Sequence, residues 1–455
     1  MSAEFLAQLE SIVGSDGLAG PEAIAERATS YWDPSPMQGR VLVRPRSTAE
    51  VSAILVLCHA AGQPVVIQGG LTGPVEGAVG TPSDVLVSLE RMTAIESVDP
   101  TDGVAVVQAG AVLQNVQDAL AAEGFLFPLD LGARGSCTIG GTVATNAGGI
   151  NVLRYGMMRH LVLGLEAVMA DGTVVSSMQQ MLKNNAGYDL KQLFIGSEGT
   201  LGIVTRVAVR LFPIPRSRQT VMAAADSFDA VIGFLDRLKK GLAGTLSAYE
   251  VMWNNYYAGV TGPDGHRAPL DRGHAFYIIA EAEGANPGAD EVRFESQLAD
   301  ALDAGVIVDA VVPKSDTERE ALWAVREGFE AVLPGYIYDV SLPIRNMTRY
   351  VDRLNAMLDA DWPGAIAYVF GHIADGNLHI FTAPHDGGMY RERSDAIVYG
   401  CLEGLEGSVS AEHGIGIEKK EWLHATKSPA ELAVMRSLKT TLDPRNILNP
   451  GKILS

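Results

Sequence analysis

From Val41 to about Pro215, short β-branched runs alternate with stretches whose apolar residues recur every three or four positions. "QPVVIQ" (Gln63–Gln68), "SDVLVSL" (Ser83–Leu89) and "GVAVVQAG" (Gly103–Gly110) read as strands, and "TAEVSAILVLCHAAG" (Thr48–Gly62) and "AVLQNVQDALAAEG" (Ala111–Gly124) as helices. Ahead of them, Phe5, Leu6, Leu9 and Ile12 follow Ser2 at helical spacing and predict a short helical lead-in over residues 1–40. "LFPIPRSR" (Leu211–Arg218) marks a boundary near 215 with its two prolines. A second mixture follows over 216–410. Helices are expected at Asp229–Leu238, Asp290–Leu302, Asp316–Val332 and Thr348–Leu358, and strands at Ala275–Ala280, Val306–Val312, Ile337–Leu342 and Ala365–Phe370. The last stretch, 411–455, ends in "LDPRNILNPGKIL", whose turn signals and few charges predict a tail packed on another part of the fold. The pattern as a whole implies an α+β or α/β protein of more than one domain.

Composition narrows the partners. With 47% hydrophobic residues the chain has ample material for large cores. Its 54 acidic against 35 basic residues give a formal charge of −19, which disfavours nucleic acid and anionic membrane surfaces. Cys58, Cys137 and Cys401 are scattered, as expected in a reducing compartment, so a cytoplasmic address is expected. The acidic N-terminal stretch lacks the basic start of a signal peptide, and no run of eighteen apolar residues predicts a membrane span.

"VFGHIADGNLHIF" (Val369–Phe381) carries two histidines around Asp375-Gly376, a two-residue hairpin signal. A type I′ turn there pairs residues whose numbers sum to 751, which sets His372 opposite His379 with Cβ atoms roughly 4.5–5.5 Å apart. Two imidazoles so placed can chelate one cation. Zinc or manganese would want a carboxylate as well. "SVSAEHGIGIEKK" offers Glu412 beside His413 in a strand-like, glycine-bounded segment. Neighbours in an extended chain point apart, so Glu412 is assigned to the metal and His413 to the chemistry.

Three glycine-rich segments share the first domain. Gly69, Gly70, Thr72 and Gly73 follow the Gln63–Gln68 run in a pattern that fits neither the Walker motif nor G-x-G-x-x-G. "GARGSCTIGGTVATNAGG" places Gly140, Gly141, Gly148 and Gly149 among small residues, and "IGSEGTLGIVTRVAVRLFP" sets three glycines before a β-branched run. So much close backbone approach suits a long dinucleotide lying across the domain.

"PVVIQGGLTG", "TIGGTVATNAGG", "NVLRYGMMRHLVLGLEAVMADG", "NAGYDLKQLFIGSEGTLGIVT", "GHIADGNLHI", "EHGIGIEKK" and "LDPRNILNPGK" occur in that order. In them the chain resembles flavoproteins of the vanillyl-alcohol oxidase type, in the branch holding D-2-hydroxyglutarate dehydrogenases, D-lactate dehydrogenases and the glycolate oxidase flavin subunit. The resemblance implies a two-part FAD-binding domain (41–215), an α/β cap or substrate domain (216–410) and a C-terminal segment (411–455) that returns to the FAD domain. FAD pyrophosphate would lie on Val66, Ile67, Gln68, Gly69, Gly70, Leu71, Thr72 and Gly73, and the flavin near Ser136, Thr138, Gly140, Gly141, Ala144, Asn146 and Gly149. Adenosine would lie near Glu198, Gly202 and Ile203, with Asn449 and Lys452 closing over the cofactor. The first glycine loop has Leu71 and Thr72 where some members tether FAD through histidine, so non-covalent FAD is implied. The family's metal falls on His372, His379 and Glu412, and its base on His413.

Departures from the family bear on substrate. Ile337 stands where hydroxyglutarate enzymes often have lysine, and Phe381 where they often have asparagine; Arg326 remains where the family's arginine holds substrate carboxylate. The reading is FAD- and metal-dependent oxidation of a D-2-hydroxy acid, D-lactate or another with an apolar far end, to the 2-oxo acid by hydride transfer to flavin, with D-2-hydroxyglutarate as the alternative. The implied partners are that small acid and an electron acceptor such as an electron-transfer flavoprotein, quinone or cytochrome, and the reading leaves room for a homodimer. A flavin-free metal hydrolase and a non-catalytic flavin-fold protein are the rivals.

Overall fold

The computed structural model describes residues 2–263, 265–384, 388 and 390–454. They fall into two units: Met1–Gly149, Gly156–Ile214 and Glu412–Ser455 make the first, and Ile150–Tyr155 with Pro215–Ala411 the second.

In the first unit, strands Val41–Val43, Val85–Ser88 and Val65–Gln68 run parallel, with Leu18–Ala19 antiparallel at one edge. A parallel sheet is covered on both faces, which is why these strands read as unbroken apolar runs. Helix Thr48–Ala61 begins where Ser47 Oγ accepts the Glu50 N–H and stops at Gly62, whose φ of 63° lies in the left-handed region. The expected lead-in helix is Ala3–Val13, and it buries Phe5, Leu9 and Val13 in this same core. The tail closes the unit: Val65 N–H donates to the Ile447 carbonyl at 2.7 Å and Asn449 N–H to the Val65 carbonyl at 2.9 Å. An antiparallel sheet follows in the order Ile95–Asp99, Val104–Gln108, Ile203–Arg210, Val162–Val168, Val174–Ser177.

The second unit is one antiparallel sheet in the order Asp309–Val311, Ser217–Ala225, Phe276–Gly284, Leu246–Trp253, Ile366–His372, Asn377–Ala383, Tyr336–Ser341. One face packs on helices Asn254–Val260 and Asp316–Glu327 through Tyr256, Tyr257, Leu322 and Trp323. The opposite face meets helix Phe228–Gly241, where Tyr249 Oη donates to the Val231 carbonyl at 2.6 Å. The helix expected over Asp316–Val332 ends at Glu327, and after Gly328 the chain tightens into a 3-10 turn at Phe329–Val332. Strands Ser217–Ala225 and Leu246–Trp253 carried no clear alternation because both lie inside the sheet with both faces covered. Among the described residues no helix is long and apolar enough to cross a membrane.

Candidate active site

Strand Val65–Gln68 delivers the first glycine loop. A Cβ on Gly70 would stand 2.1 Å from the Ser136 carbonyl oxygen, and one on Gly69 2.6 Å from Thr138 Oγ1. The first two glycine segments therefore lie back to back at a distance only glycine permits. Leu71, at φ 56°, turns the chain. Its carbonyl accepts the Tyr31 N–H at 2.9 Å, and the Thr72 carbonyl accepts the Trp32 indole N–H at 3.2 Å. In a trans peptide the N–H points opposite its carbonyl, so the N–H groups of Thr72 and Gly73 face away from that anchor. Among the described residues, the N–H groups of Gly70, Leu71, Thr72 and Gly73 donate to no protein acceptor. Successive unpartnered donors fit a pyrophosphate.

The second segment opens helix Ile139–Thr145, where Thr138 Oγ1 accepts the Gly141 N–H at 3.3 Å and Gly140 packs on Ala109. Asn146, at φ 51°, accepts the Arg159 N–H at 2.9 Å, and the Ala144 carbonyl accepts the Glu198 N–H at 2.8 Å. Gly149 N–H donates to Glu412 Oε1 at 2.9 Å, so within this unit the glycine wall holds the expected metal-binding carboxylate.

In the third segment, Glu198 accepts from the N–H groups of Ile415 at 2.7 Å and Gly416 at 2.8 Å. Burial pushes its carboxyl above the usual range in spite of those two donors. Asn449 joins the segments, accepting the Ile67 N–H at 3.0 Å and donating to the Glu198 carbonyl at 2.6 Å. Lys452 Nζ donates to the Val79 carbonyl at 2.8 Å. The side chains of Val66 and Ile203 are core residues and Gly202 lies under the Phe194 ring, so these three positions have only backbone to offer a ligand.

The histidine ribbon of the second unit departs from the expected register. Strands Ile366–His372 and Asn377–Ala383 pair Phe370, not His372, with His379, a shift of two residues. The connection is a 3-10 turn at Ile373–Asp375 closed by Gly376 at φ 95°, and one left-handed residue cannot make a type I′ turn, which needs two. A shift of two keeps every side chain on its face, so His372 and His379 still meet, with ring centroids 5.2 Å apart. The expected strand around Glu412 and His413 is absent: both are half-buried in an irregular bend. They belong to the first unit, at the point where the chain re-enters it after Ala411.

Three residues of the second unit were not anticipated. Glu250 lies directly opposite His372 in the ladder, with Oε1 2.6 Å from His372 Nδ1 and Oε2 2.8 Å from Arg326 Nε. Burial alone would raise its carboxyl, but the His372 imidazole and the Arg326 guanidinium outweigh that and hold it at about 2. Asp339, opposite His379, accepts the Ala411 N–H at 2.8 Å. Asn377 is buried, and neither polar atom of its carboxamide has a partner among the described residues. An acid at an interior strand position followed by an aromatic or apolar residue, as in "SAYEVMW", is the one sequence signal that could have flagged Glu250. Arg326 also stacks over the Phe370 ring at 4.9 Å and places Nη2 3.2 Å from His372 Nε2. Ile337 and Phe381 are direct cross-strand partners on the His379 face, and Phe381 is buried against Phe329 and Phe370.

Comparison with known families agrees with both halves of this description. Residues 39–177 match the FAD binding domain and 214–453 the C-terminal domain of FAD linked oxidases. The chain belongs to the FAD-linked oxidases. This FAD-linked oxidase is 39% identical over 459 residues to the mitochondrial D-2-hydroxyglutarate dehydrogenase of Bos taurus, covering 100% of the chain and 84% of that protein. It is 33% identical to the D-2-hydroxyglutarate–pyruvate transhydrogenase of Saccharomyces cerevisiae, covering 100% of the chain and 95% of that protein. Its fold is that of vanillyl-alcohol oxidase type flavoenzymes: a substrate-bound p-cresol methylhydroxylase superposes with a TM-score of 0.77 at 15% identity, over 99% of this chain and 96% of the other. The FAD-linked oxidase is thus a flavin-dependent oxidoreductase, and the flavin-free hydrolase reading falls.

Proposed function

We propose that the enzyme oxidises a D-2-hydroxy acid with an uncharged far end, D-lactate or a longer aliphatic or aromatic acid, to the 2-oxo acid, using non-covalent FAD and a divalent cation, zinc ahead of manganese. When bound, FAD supplies the two-electron acceptor and the cation supplies Lewis acidity at the substrate hydroxyl and carboxylate. His372 and His379 would hold the cation with Glu412. In support, Asp339 sits opposite His379 and grips the Ala411 N–H, and Glu412 is the next residue along the chain. Arg326 clamps the substrate carboxylate by charge-assisted hydrogen bonds, and His413 takes the hydroxyl proton as the α-hydrogen leaves as hydride.

The observation that carries the substrate reading is the pairing of Ile337 with Phe381 on the His379 face. A second carboxylate buried against those two side chains would lack a partner and cost several kcal/mol, about 2–7 for even a neutral polar group. Arg345, one cation that could have served it, is exposed and ion-paired with Glu406. D-2-hydroxyglutarate is the second reading, favoured by the names of the relatives. Electrons would pass on to an electron-transfer flavoprotein, quinone or cytochrome, in the cytoplasm. The test is a panel of D- and L-2-hydroxy acids with an artificial electron acceptor, before and after chelation. A strong preference for D-2-hydroxyglutarate over D-lactate defeats the apolar-end reading, and activity indifferent to chelation defeats the metal.

A further inference from the structure

We infer that Glu250 is the positioning residue of this site: one buried carboxylate fixes both the ring of His372 as a metal ligand and the guanidinium of Arg326 as the substrate clamp. The inference rests on the metal reading above and deepens it.

The two oxygens of Glu250 are divided between two partners. Oε1 meets His372 Nδ1 at 2.6 Å and Oε2 meets Arg326 Nε at 2.8 Å, with the carboxylate 1% exposed. The third side of the triangle is Arg326 Nη2 to His372 Nε2 at 3.2 Å. A guanidinium can only donate, so Nε2 is the accepting nitrogen. Nδ1 therefore carries the hydrogen and donates it to Glu250. This is the neutral tautomer with its lone pair on Nε2, the form a divalent cation takes. Glu250 thus chooses which nitrogen of His372 is offered and fixes the plane in which it is offered.

The same acid anchors Arg326 at Nε, the atom nearest the stem. That fixes the base of the guanidinium while its far nitrogens project toward His372, where a carboxylate bound to the cation would lie. The backbone is fixed too, since the Tyr256 hydroxyl donates to the Arg326 carbonyl at 2.7 Å.

Two other buried acids on this face show what a purely structural acid looks like here. Glu281 is matched by Thr220, Trp323, Arg218 and Arg319, and Glu283 by Arg218, Tyr155 and Arg154; among the described residues neither is bonded to a histidine. Glu250 differs in bridging two residues that carry separate chemical tasks.

The test compares FAD-loaded wild type, Glu250→Gln and Glu250→Asp. Zinc affinity is read by competition with a chromophoric chelator, FAD content by absorbance, and kcat and KM separately with the best 2-hydroxy acid. Glu250→Gln should keep FAD, bind zinc about 10–100-fold more weakly and raise KM more than it lowers kcat. Glu250→Asp, which keeps a negative charge beside Arg326, should recover part of both losses, and it carries the test if the glutamine variant does not fold. In wild type labelled with [15N]histidine, His372 should show hydrogen on Nδ1 and none on Nε2. A wild type that binds zinc while both variants bind it equally tightly at unchanged KM overturns the role of Glu250 alone. A wild type that takes up no zinc overturns the metal reading and this inference with it.

Discussion

Asp339 and His379 face each other across the ladder between Tyr336–Ser341 and Asn377–Ala383, and the same aspartate takes the hydrogen bond of Ala411, the residue before Glu412. Asp339 is fully buried and also lies 3.3 Å from Ser410 Oγ. Asp339→Ala would leave those donors unmatched, at about 1–3 kcal/mol. It should lower the denaturant midpoint and reduce zinc per chain, while Asp339→Asn, which keeps one acceptor oxygen, should do less of each. Equal zinc content in wild type and the alanine variant would separate this aspartate from the site.

His379→Ala should cut zinc per chain well below one and leave the flavin spectrum intact, because the expected FAD residues all lie in the first unit. His413→Ala should leave both zinc and FAD in place and lower turnover by roughly 10²–10⁴-fold. Turnover within threefold of wild type would remove His413 from proton transfer.

The Ile337–Phe381 pair makes substrate choice adjustable. Ile337→Lys combined with Phe381→Asn should move the ratio of kcat/KM for D-2-hydroxyglutarate over D-lactate upward by about 10–100-fold, the worth of one hydrogen bond to a charged group. A ratio that stays put would mean that the far end of the substrate lies elsewhere.

Two glycines of the first loop separate packing from ligand binding. Gly70→Ala drives a methyl group to 2.1 Å from the Ser136 carbonyl, so the flavin-free protein itself should be destabilised. A Cβ on Gly73 meets nothing within 4 Å. Gly73→Ala should leave the thermal midpoint of the apoprotein unchanged and weaken FAD binding, measured by flavin titration, if the pyrophosphate fills that space.

Glu198 links stability to pH. Its folded carboxyl titrates above the ordinary value of 4.5. Below that value glutamate is protonated in the folded and unfolded chain alike, and Glu198→Gln differs little from wild type. As pH rises above about 4.5 the unfolded chain ionises first, so wild-type apoprotein should lose stability relative to the variant. Denaturation at a series of pH values checks this, and a gap that narrows toward pH 7 would contradict it.

Much of the fold was legible because its strands and helices are long and regular. The Asp229–Leu238, Asp290–Leu302 and Thr348–Leu358 helices were expected and are observed as Phe228–Gly241, Pro287–Asp303 and Met347–Asp361. Period-based reading failed where tertiary cover removes the period, as in Ser217–Ala225, a strand rich in alanine and sandwiched between other strands. It failed also in the ribbon turn, where Asp-Gly fits both a two-residue turn and the longer 3-10 connection that formed. For Glu250 the acid inside "SAYEVMW" could flag the residue but not its role: it pairs with residues 76 and 122 positions away, and no local pattern names such partners.

The division of the chain sets an order of events at birth. Val65 at the free edge of strand Val65–Gln68 donates to the Ile447 carbonyl and accepts from the Asn449 N–H, so the nucleotide-binding half is stitched shut by residues translated after the whole Pro215–Ala411 insertion. At about 5–20 residues per second, that insertion takes roughly ten to forty seconds to synthesise, and for that time the sheet edge has no tail to pair with.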